Sequence, residues 1–402
     1  MELLFDLRDP SLHADPYPHY HRLRAADPVH HSPFGYWILS RYADVEAVLK
    51  DPRGSSDFPN DPTWAKHRGG PDSNIVTSMR DWLIMLDGAA HRRIRAIVGK
   101  VFNGRSPERL RPRIEAAIGQ LLDAMGEGEI ELVRSLALPL PITVISELLG
   151  IPEPDRARCR VWTSQIGHSI DPLITAEMRT AMNEAEAEFH EYLAGQLARR
   201  RENPGDDLLS LLLAGRDGDD RLTDDEIIGN VEMMFIAGHE TTVSTVGSGM
   251  LALLQHPDQL RYLREHPEAI DGAVDELTRF NPPLQTTTRV VTDDLPVGGP
   301  AGEKVLPRGA KVMLLLGAAN RDPEKYPDPD RLDLTRVGVK PLSFGGGPHY
   351  CLGAPLAKLE AGLAFNALLK RYQTIELATE EVTWRRHFNL RGLEELWLKA
   401  LH

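Results

Sequence analysis

The stretch FGGGPHYCLG, residues 344–353, is the most informative part of this chain. Its glycines and proline predict a tight, rigid turn around a single cysteine, Cys351. A regular apolar helix is predicted to begin directly afterwards, at Ala354. Unpaired backbone N–H groups and the positive end of the helix dipole favour a thiolate at such a position, and the thiolate is the form of cysteine that binds a metal.

Cys351 could have any of several roles. An isolated cysteine is most often an inert packing residue, and the residue alone leaves that interpretation open. A phosphate-binding loop would need Gly-Lys-Ser or Gly-Lys-Thr after its glycines. Structural zinc needs four clustered ligands, whereas the chain has only two cysteines, Cys159 and Cys351. A papain-like nucleophile lacks its local signature. What remains is one axial thiolate to a metal held mostly by another group, a description that heme fits.

The composition narrows the class of protein. The chain has 402 residues, of which 42% are hydrophobic and 26% charged, and these values are typical of a globular protein rather than a disordered or fibrous one. With 46 basic and 59 acidic side chains the formal charge is −13, which argues against general nucleic-acid binding. Two cysteines in so long a chain predict no disulfide framework and a reducing compartment. No basic region followed by an apolar run is seen near residue 1, so no signal peptide is expected.

The spacing of apolar residues predicts a mainly α protein with a small β region. Most segments repeat apolar residues every three or four positions, as in residues 16–25 and 43–49. Short strands are predicted at residues 36–39, 289–291, 311–315 and about 396–399. Residues 54–80 are rich in Gly, Pro, Ser and Asp and are predicted to form a long loop. No linker or repeat divides the chain, so we expect a single domain over residues 1–402.

One long helix dominates the centre of the chain. Thr223 and Glu226 have the spacing of a capping box, and the apolar pattern then continues to Gln255. About 32 residues would span roughly 48 Å. The helix contains Glu232 and Glu240, so it is predicted to be a buried helix and not a membrane span. We therefore expect a soluble, cytoplasmic protein.

Taken together, these features resemble the cytochrome P450 superfamily, and specifically its soluble bacterial members. The family's cysteine signature, Phe-Gly-x-Gly-x-His-x-Cys-x-Gly, matches residues 344–353 without a mismatch, and the resemblance covers nearly the whole chain. It implies the cytochrome P450 fold, in which the long central helix lies over a heme. It also implies heme b as the cofactor and Cys351 as the axial ligand of the heme iron.

The resemblance identifies further residues that bind the heme. His91 and Arg95 are four positions apart and so share one helix face, where two donors suit a carboxylate. From the residues alone, a solvated polar face is the more common reason for such a pair. The family uses the matching pair to bind the heme propionates. The remaining expected heme contacts are Arg289, His349, Phe344, Gly345 and Ala237.

Residues 237–242, Ala-Gly-His-Glu-Thr-Thr, lie midway along the long helix. An acid beside two threonines in an apolar helix is costly unless it is paired, which indicates a functional site. From the residues alone, however, a helix kink with a back-bonded threonine is the favoured interpretation. In the family the matching segment lies over the heme iron and relays protons to dioxygen. The resemblance therefore implies that Thr241 and Glu240 are catalytic.

Glu276 and Arg279 are three positions apart on a predicted helix and can form an ion pair. Taken alone, the pair would be a surface salt bridge that contributes little to stability. The family has a buried Glu-x-x-Arg pair near the heme. The resemblance thus implies a structural role for Glu276 and Arg279.

The substrate pocket is identified by resemblance only. Its expected lining residues are Trp82, Leu83, Ile236, Ala237, Leu284, Thr286, Thr287 and Phe388. An apolar cavity with a few polar groups suits a medium-to-large organic molecule. Polyketide, macrolide, steroid, terpenoid and fatty-acid substrates all remain open, and a role in secondary metabolism is expected.

A basic segment suggests a partner. Residues 91–113 contain eight arginines and lysines and one acid, Glu108. Either they form a solvated face, or they dock an acidic electron donor by charge complementarity. Soluble bacterial members of the family take electrons from NAD(P)H through a ferredoxin reductase and a ferredoxin, so these are the expected partners. We expect a monomer that binds neither nucleic acid nor membrane.

The sequence therefore predicts a heme-thiolate monooxygenase that inserts one atom of dioxygen into an organic substrate, by hydroxylation or epoxidation. Two alternatives are kept. One is a heme-thiolate enzyme that needs no ferredoxin, either a peroxide-dependent peroxygenase or an isomerase. The second is a non-catalytic heme-binding sensor or carrier, which would need the heme ligands but not Glu240 and Thr241.

Overall fold

A computed structural model describes residues 5–104, 107–171, 173–218, 220–299, 302–379, 381–385 and 387–402. Within these ranges helices predominate. In chain order they are α1 Ser11–Ala14, α2 Tyr17–Ala26, α3 Tyr42–Lys50, α4 Pro62–His67, α5 Asn74–Met79, α6 Gly88–Gly104, α7 Pro107–Met125, α8 Pro139–Leu149, α9 Glu153–Gly167, α10 Ala176–Glu202, α11 Leu208–Ala214, α12 Asp224–Gln255, α13 Pro257–Glu265, α14 Ile270–Phe280, α15 Leu316–Ala319 and α16 Ala354–Arg371.

The strands form small sheets. They are β1 Val29–His31, β2 Tyr36–Leu39, β3 Gly54–Ser55, β4 Gly128–Glu131, β5 Thr286–Val291, β6 Leu295–Val297, β7 Lys304–Leu306, β8 Lys311–Leu315, β9 Thr374–Leu377 and β10 Trp397–Leu401. Five of them make a sheet in the order β1-β2-β8-β5-β3, three make a sheet in the order β4-β10-β9, and β6 pairs with β7. The prediction of a mainly α protein with a small β region is confirmed.

The five-stranded sheet carries an apolar core. Strands β2 and β8 run parallel, with Leu39 opposite Leu314, whereas β5 and β8 run antiparallel. Leu39 and Leu314 are fully buried and pack with Val45 and Val48 of α3. Each square ångström of apolar surface buried in this layer stabilises the fold by about 25 cal/mol. The sheet thereby fixes the start of β5, which carries several of the predicted site residues.

Helix α12 begins with the capping box that its sequence predicts. The Glu226 carboxylate accepts a hydrogen bond from the Thr223 N–H at 2.9 Å, and the Glu226 N–H donates to Thr223 Oγ1 at 3.2 Å. The helix ends at Gln255, as predicted. Most of its residues are buried, because the apolar side chains continue around the whole helix.

The prediction of a long loop at residues 54–80 is wrong. This segment contains β3, α4 and α5. Asp61 caps α4 by accepting a hydrogen bond from the Trp64 N–H at 2.8 Å, and Pro62 occupies the first turn. The Asp-Pro pair is therefore a helix start, for which both residues are as well suited as they are for a turn.

The chain forms two compact units, each made of several segments. Unit 1 comprises residues 1–55, 114–140 and 240–402, and unit 2 comprises residues 56–113 and 141–239. All three sheets belong to unit 1, whereas α9, α10 and α11 belong to unit 2. The single domain remains a prediction.

Among the described residues, no single helix is both long and apolar enough to cross a membrane. One pair of helical segments, Val133–Leu149 and Glu153–Ile170, passes the test for length and composition together, but a bend of 113° separates its members.

Candidate active site

The cysteine loop is held by its own backbone. Two short 3₁₀ turns, Leu342–Phe344 and Gly347–His349, precede Cys351. The Cys351 N–H donates to the Phe344 carbonyl at 2.8 Å, which closes the loop. Helix α16 then begins at Ala354, three residues later. The Cys351 side chain is exposed, so the loop presents its sulfur at a helix N-terminus, as the sequence predicts.

Two glycines of this loop have left-handed backbone angles. Gly345 has φ of +72° and Gly347 has φ of +62°. At Gly347 a Cβ atom would also lie only 2.4 Å from the Leu49 carbonyl oxygen. Only glycine satisfies both requirements there, because other residues are strained at positive φ and would collide with α3.

A buried network supports the residues just before the loop. Arg279 Nε and Nη2 donate to the two Glu276 oxygens at 2.6 and 2.8 Å, and both side chains are fully buried. Arg279 Nη1 donates to the Asn320 carbonyl at 2.9 Å. The Asn320 side chain in turn accepts from the Leu342 N–H at 2.7 Å and donates to Ser343 Oγ at 2.8 Å. The predicted structural pair is therefore connected, through Asn320, to the start of the cysteine loop.

The chemistry of the two cysteines fits a heme-thiolate site at Cys351. Cys159 is buried, and its desolvation raises the pKa of the thiol to about 12, so it stays protonated at neutral pH. Within the described residues, Cys351 belongs to no group of three side chains that could hold a metal ion. A metal bound by Cys351 would thus take its other ligands from a cofactor, which is what a porphyrin provides.

The predicted propionate-binding residues are distributed over both units. His91 and Arg95 lie on α6 in unit 2, where His91 is buried. Arg289 lies on β5 in unit 1 and is only 6% exposed; its guanidinium donates to the Thr288 carbonyl at 2.8 Å and to Thr287 Oγ1 at 3.1 Å. His349 ends the second 3₁₀ turn of the cysteine loop. That these four side chains meet at one cofactor stays a prediction.

The middle of α12 differs from the rest of that helix. Ala237 is exposed, and Glu240 and Thr241 are half-buried, although the residues on either side of the segment are buried. The Glu240 and Thr241 carbonyls accept hydrogen bonds from Ser244 Oγ at 2.9 Å and Thr245 Oγ1 at 2.8 Å. Back-bonding therefore occurs one turn beyond the predicted catalytic pair. Ala237 and Thr241 are four positions apart and so share one face of the helix; their contact with a cofactor stays a prediction.

Glu240 has an arginine partner that sequence reasoning missed. Arg385 Nη1 donates to Glu240 Oε2, and both side chains are partly exposed. The backbone N–H of Arg385 donates to the Gly392 carbonyl at 2.9 Å, which fixes the segment that carries the guanidinium. No local signal relates two residues 145 positions apart, so only the fold could bring them together. The pairing offsets the cost of placing a carboxylate in an apolar helix.

Two of the predicted pocket segments lie side by side in unit 1. Leu284 forms a β-bridge with Leu390, and Thr286 Oγ1 donates to the Asn389 side chain. Thr287 Oγ1 accepts a hydrogen bond from the Arg289 guanidinium. Phe388 instead packs against Phe5, with ring centroids 6.3 Å apart, beside a core cluster. The Phe388 ring therefore contributes to the packing of the N-terminal segment.

The predicted pocket residues of unit 2 are attached to the first half of α12. Trp82 and Leu83 are almost fully buried. Trp82 Nε1 donates to Ser78 Oγ at 3.0 Å, and the Leu83 N–H donates to the Asn230 side chain at 3.0 Å. Ile236, on α12, is buried as well. These contacts order the segment before α6; the role of these residues in binding substrate stays a prediction.

The basic segment is partly neutralised within the fold. Arg93 pairs with Glu226, and Lys100 pairs with Asp217 at 2.5 Å. Glu108 pairs with Arg111 at 2.7 Å. Arg92, Arg109 and Arg113 are exposed on α6 and α7, whereas Arg105 lies outside the described residues. Any docking surface is therefore smaller than the sequence predicts.

Buried carboxylic acids occur near α12 as well. Burial raises the pKa of Glu186 on α10 to about 7 and that of Glu232 on α12 well above its usual range. The partly buried Asp81 carboxyl has a pKa raised to about 6, because of burial and the nearby Glu226. The sequence showed Glu232 as an acid in an apolar helix, but its neighbours come from other segments.

Comparison with known proteins agrees with the resemblance. A family model described as Cytochrome P450 matches residues 168–388. The chain is 41% identical over 394 residues to the cytochrome P450 monooxygenase PikC of Streptomyces venezuelae, covering 95% of this chain and 90% of that protein. It is 38% identical to the 6-deoxyerythronolide B hydroxylase of Saccharopolyspora erythraea, covering 97% of each. The solved structure of the bacillaene polyketide synthase cytochrome P450 PksS of Bacillus subtilis superposes with a TM-score of 0.88 at 36% identity, covering 99% of this chain and 100% of that one.

Proposed function

This chain belongs to the cytochrome P450 family, and we propose from that premise that it inserts one atom of dioxygen into a medium-to-large organic substrate, by hydroxylation or epoxidation. Family membership makes the protein an oxidoreductase with the cytochrome P450 fold, a heme-thiolate monooxygenase that acts on organic substrates. Its cofactor is heme b with a cysteine thiolate as the axial ligand. The electron donors, the reaction type and the residue roles below are proposals.

Cys351 is the proposed axial ligand. The observation that carries this assignment is the contrast between its exposed sulfur on a closed loop and the buried, protonated Cys159. When bound, the heme supplies the activation of dioxygen, to which electron density from the thiolate contributes. His91, Arg95, Arg289 and His349 would hold the propionates through their N–H donors, and Phe344 and Gly345 would line the proximal side.

Glu240 and Thr241 are the proposed proton-delivery pair. Glu240 is half-buried on α12 and is held by Arg385, so its carboxylate keeps one orientation while part of it stays accessible to water. Thr241 follows it on the accessible face of the helix and offers a hydroxyl that can accept a proton from one side and donate to the other. This acid–hydroxyl pair is what an oxygenase needs and what a heme carrier does not, so it weighs against the sensor and the peroxygenase.

A polyketide-derived molecule is the proposed substrate. Two relatives support this class by their names, one a 6-deoxyerythronolide B hydroxylase and one a bacillaene polyketide synthase cytochrome P450. The predicted pocket residues combine large apolar side chains with the hydroxyls of Thr286 and Thr287, which suits a large ring with a few oxygen atoms. A role in secondary metabolism follows from this assignment.

The carbon-monoxide difference spectrum of the reduced, heme-loaded protein tests the core of the proposal. We expect a strongly red-shifted Soret band in the wild type and in Cys159→Ala, and its loss in Cys351→Ala. A red-shifted band that survives in Cys351→Ala would overturn the ligand assignment. Spin-state titration with macrolactones, followed by mass spectrometry under labelled dioxygen, then tests substrate class and the insertion of one oxygen atom.

Replacing Thr241 with alanine separates the enzyme classes. An oxygenase should still consume electrons but release them as peroxide, whereas a carrier should keep its heme affinity and show no change in any turnover assay. Product formation supported by peroxide alone, at the wild-type rate in Thr241→Ala, would favour the peroxygenase.

A ferredoxin, reduced by NAD(P)H through its reductase, is the proposed electron donor. Arg92, Arg109 and Arg113 are exposed and can attract an acidic partner. Reversing these three charges should slow reduction of the heme, most strongly at low ionic strength, without changing the heme spectrum. Reduction kinetics equal to those of the wild type would exclude this surface as the docking site.

A further inference from the structure

Three side chains of unit 2 face one another. Glu186 and His190 lie one turn apart on α10, and Glu232 lies on α12. His190 Nδ1 is 3.8 Å from an oxygen of Glu186 and 3.8 Å from Glu232 Oε1. The three ligand atoms lie within 4.8 Å of one another. We propose that Glu186, His190 and Glu232 bind a zinc ion.

The state of Glu232 is the independent observation behind this proposal. Its side chain is 0% exposed. Ser78 Oγ donates to Glu232 Oε2 at 2.5 Å and itself accepts from Trp82 Nε1, a group that can only donate. Among the described residues Oε1 has no hydrogen-bond partner, and it points toward His190.

An unsatisfied buried carboxylate oxygen requires a cation or a proton. Within the part of the chain that the structure describes, no lysine or arginine pairs with Glu186 or Glu232. A protonated His190 is the internal alternative, but at 3.8 Å its Nδ1 lies beyond hydrogen-bonding distance from both carboxylates. In a tetrahedral zinc site with bonds of about 2.0–2.2 Å, ligand atoms are roughly 3.4 Å apart. Small rotamer adjustments would thus bring all three atoms to an ion.

The surroundings of His190 match those of a metal-binding histidine. Its Nε2 faces Asp225 Oδ1 at 4.0 Å, on the side away from the two glutamates. Metal-binding histidines commonly have a carboxylate near the second ring nitrogen, and Asp225 occupies that position here without hydrogen-bonding to it. Because the His190 side chain is 37% exposed, an ion can reach the site from solvent although the glutamates are buried.

The donor set selects the ion. One imidazole and two carboxylates suit zinc, and an open fourth position can hold water. Magnesium requires octahedral oxygen ligands and retains its waters, so it should bind this set poorly. Bound zinc would join α10 to α12.

Equilibrium dialysis against zinc chloride, with zinc counted by mass spectrometry, tests the proposal on the heme-loaded, chelator-treated protein. We expect one zinc ion per wild-type chain, and affinity at least about tenfold weaker in His190→Ala and Glu232→Gln. Asp225→Asn should weaken binding less than either. Magnesium chloride should not displace the ion.

His266→Ala is the matched control, because His266 is an exposed histidine that also pairs with a glutamate, Glu268, at 3.3 Å. It should bind zinc like the wild type. Equal affinity in His190→Ala and the wild type, or no stoichiometric zinc in the wild type, would overturn the proposal and leave His190 as a counter-ion. Should Glu232→Gln fail to fold, anomalous diffraction from wild-type crystals soaked in zinc decides between these outcomes by locating the ion.

Discussion

Two glutamates of this protein, Glu276 and Glu232, are both fully buried, yet their surroundings are opposite. Glu276 on α14 accepts hydrogen bonds from Arg279, from Arg336 Nε at 3.2 Å and from the Asp333 N–H at 3.0 Å. Glu232 on α12 accepts from Ser78 at Oε2, whereas its Oε1 has no hydrogen-bond partner among the described residues. The first carboxylate holds the chain near the cysteine loop; the second keeps an oxygen available for a ligand.

The difference shows how to separate structural from functional buried acids. A buried charge that is fully paired has no capacity left for chemistry, and its removal damages the fold. A buried acid that has a raised pKa and one oxygen without a hydrogen-bond partner costs the protein stability. Such an acid is therefore a candidate for a role in binding or catalysis. The following substitutions test that distinction.

Glu276→Gln should have the largest effect. It leaves the fully buried Arg279 guanidinium without its counter-charge, and breaking a buried pair from one side costs about 3–5 kcal/mol. Urea unfolding should show that loss, together with reduced heme incorporation, because the network reaches Leu342 and Ser343. The exposed pair of Lys50 and Glu46 is the control: Glu46→Gln should change stability by no more than about 0.5 kcal/mol. Equal effects of the two substitutions would contradict the structural role of Glu276.

Glu360→Gln should give a smaller effect that depends on pH. Burial raises the pKa of Glu360 on α16 from 4.5 to about 8, and its Oε2 has no partner among the described residues. Because the folded pKa is the higher one, the protonated carboxyl contributes stability that is complete below about pH 4.5 and is lost as the pH rises to about 8. Relative to the wild type, the variant should therefore gain roughly 2–4 kcal/mol between these limits. If the wild type and Glu360→Gln gave parallel curves of stability against pH, the pKa of Glu360 would not be raised in the folded protein.

Gly347→Ala should cost about 1–3 kcal/mol and displace the cysteine loop, since it combines a positive φ with a collision against the Leu49 carbonyl. Gly353→Ala is the matched control, because Gly353 has φ of −82° and open space around a Cβ. For both variants, thermal unfolding measures the change in stability and the heme spectrum reports displacement of the cysteine loop. A harmless Gly347→Ala would mean that the loop relaxes without loss.

Ser78→Ala should have the smallest effect, about 1–2 kcal/mol, because it removes a hydrogen bond to the buried Glu232 carboxyl, whose pKa is raised by burial, which favours the neutral form. A loss near that of Glu276→Gln would instead show that Glu232 is charged and depends on Ser78. Urea unfolding midpoints, measured where the m-value is unchanged, compare the stability losses of the two variants.

Local patterns predicted much of the fold. The capping box at Thr223 fixed where α12 begins, and β2 and β8 have the predicted bounds. These features depend on neighbouring residues, so they can be read along the chain. The pattern fails at residues 54–80 because an Asp-Pro pair begins a helix as readily as a turn. It also fails at short strands such as β1 and β9, since so few residues carry no clear period.

The sequence by itself determined the family, the cysteine on its glycine turn and the acid–threonine pair of the central helix. These are short-range patterns in which chemistry and backbone constraint occupy the same few positions. Only the tertiary structure decided which partners the charged groups have: Arg385 for Glu240, Asp217 for Lys100, and His190 for Glu186 and Glu232. Most of these pairs join distant segments, and electrostatic energy depends on separation in space and on burial, neither of which a linear pattern contains.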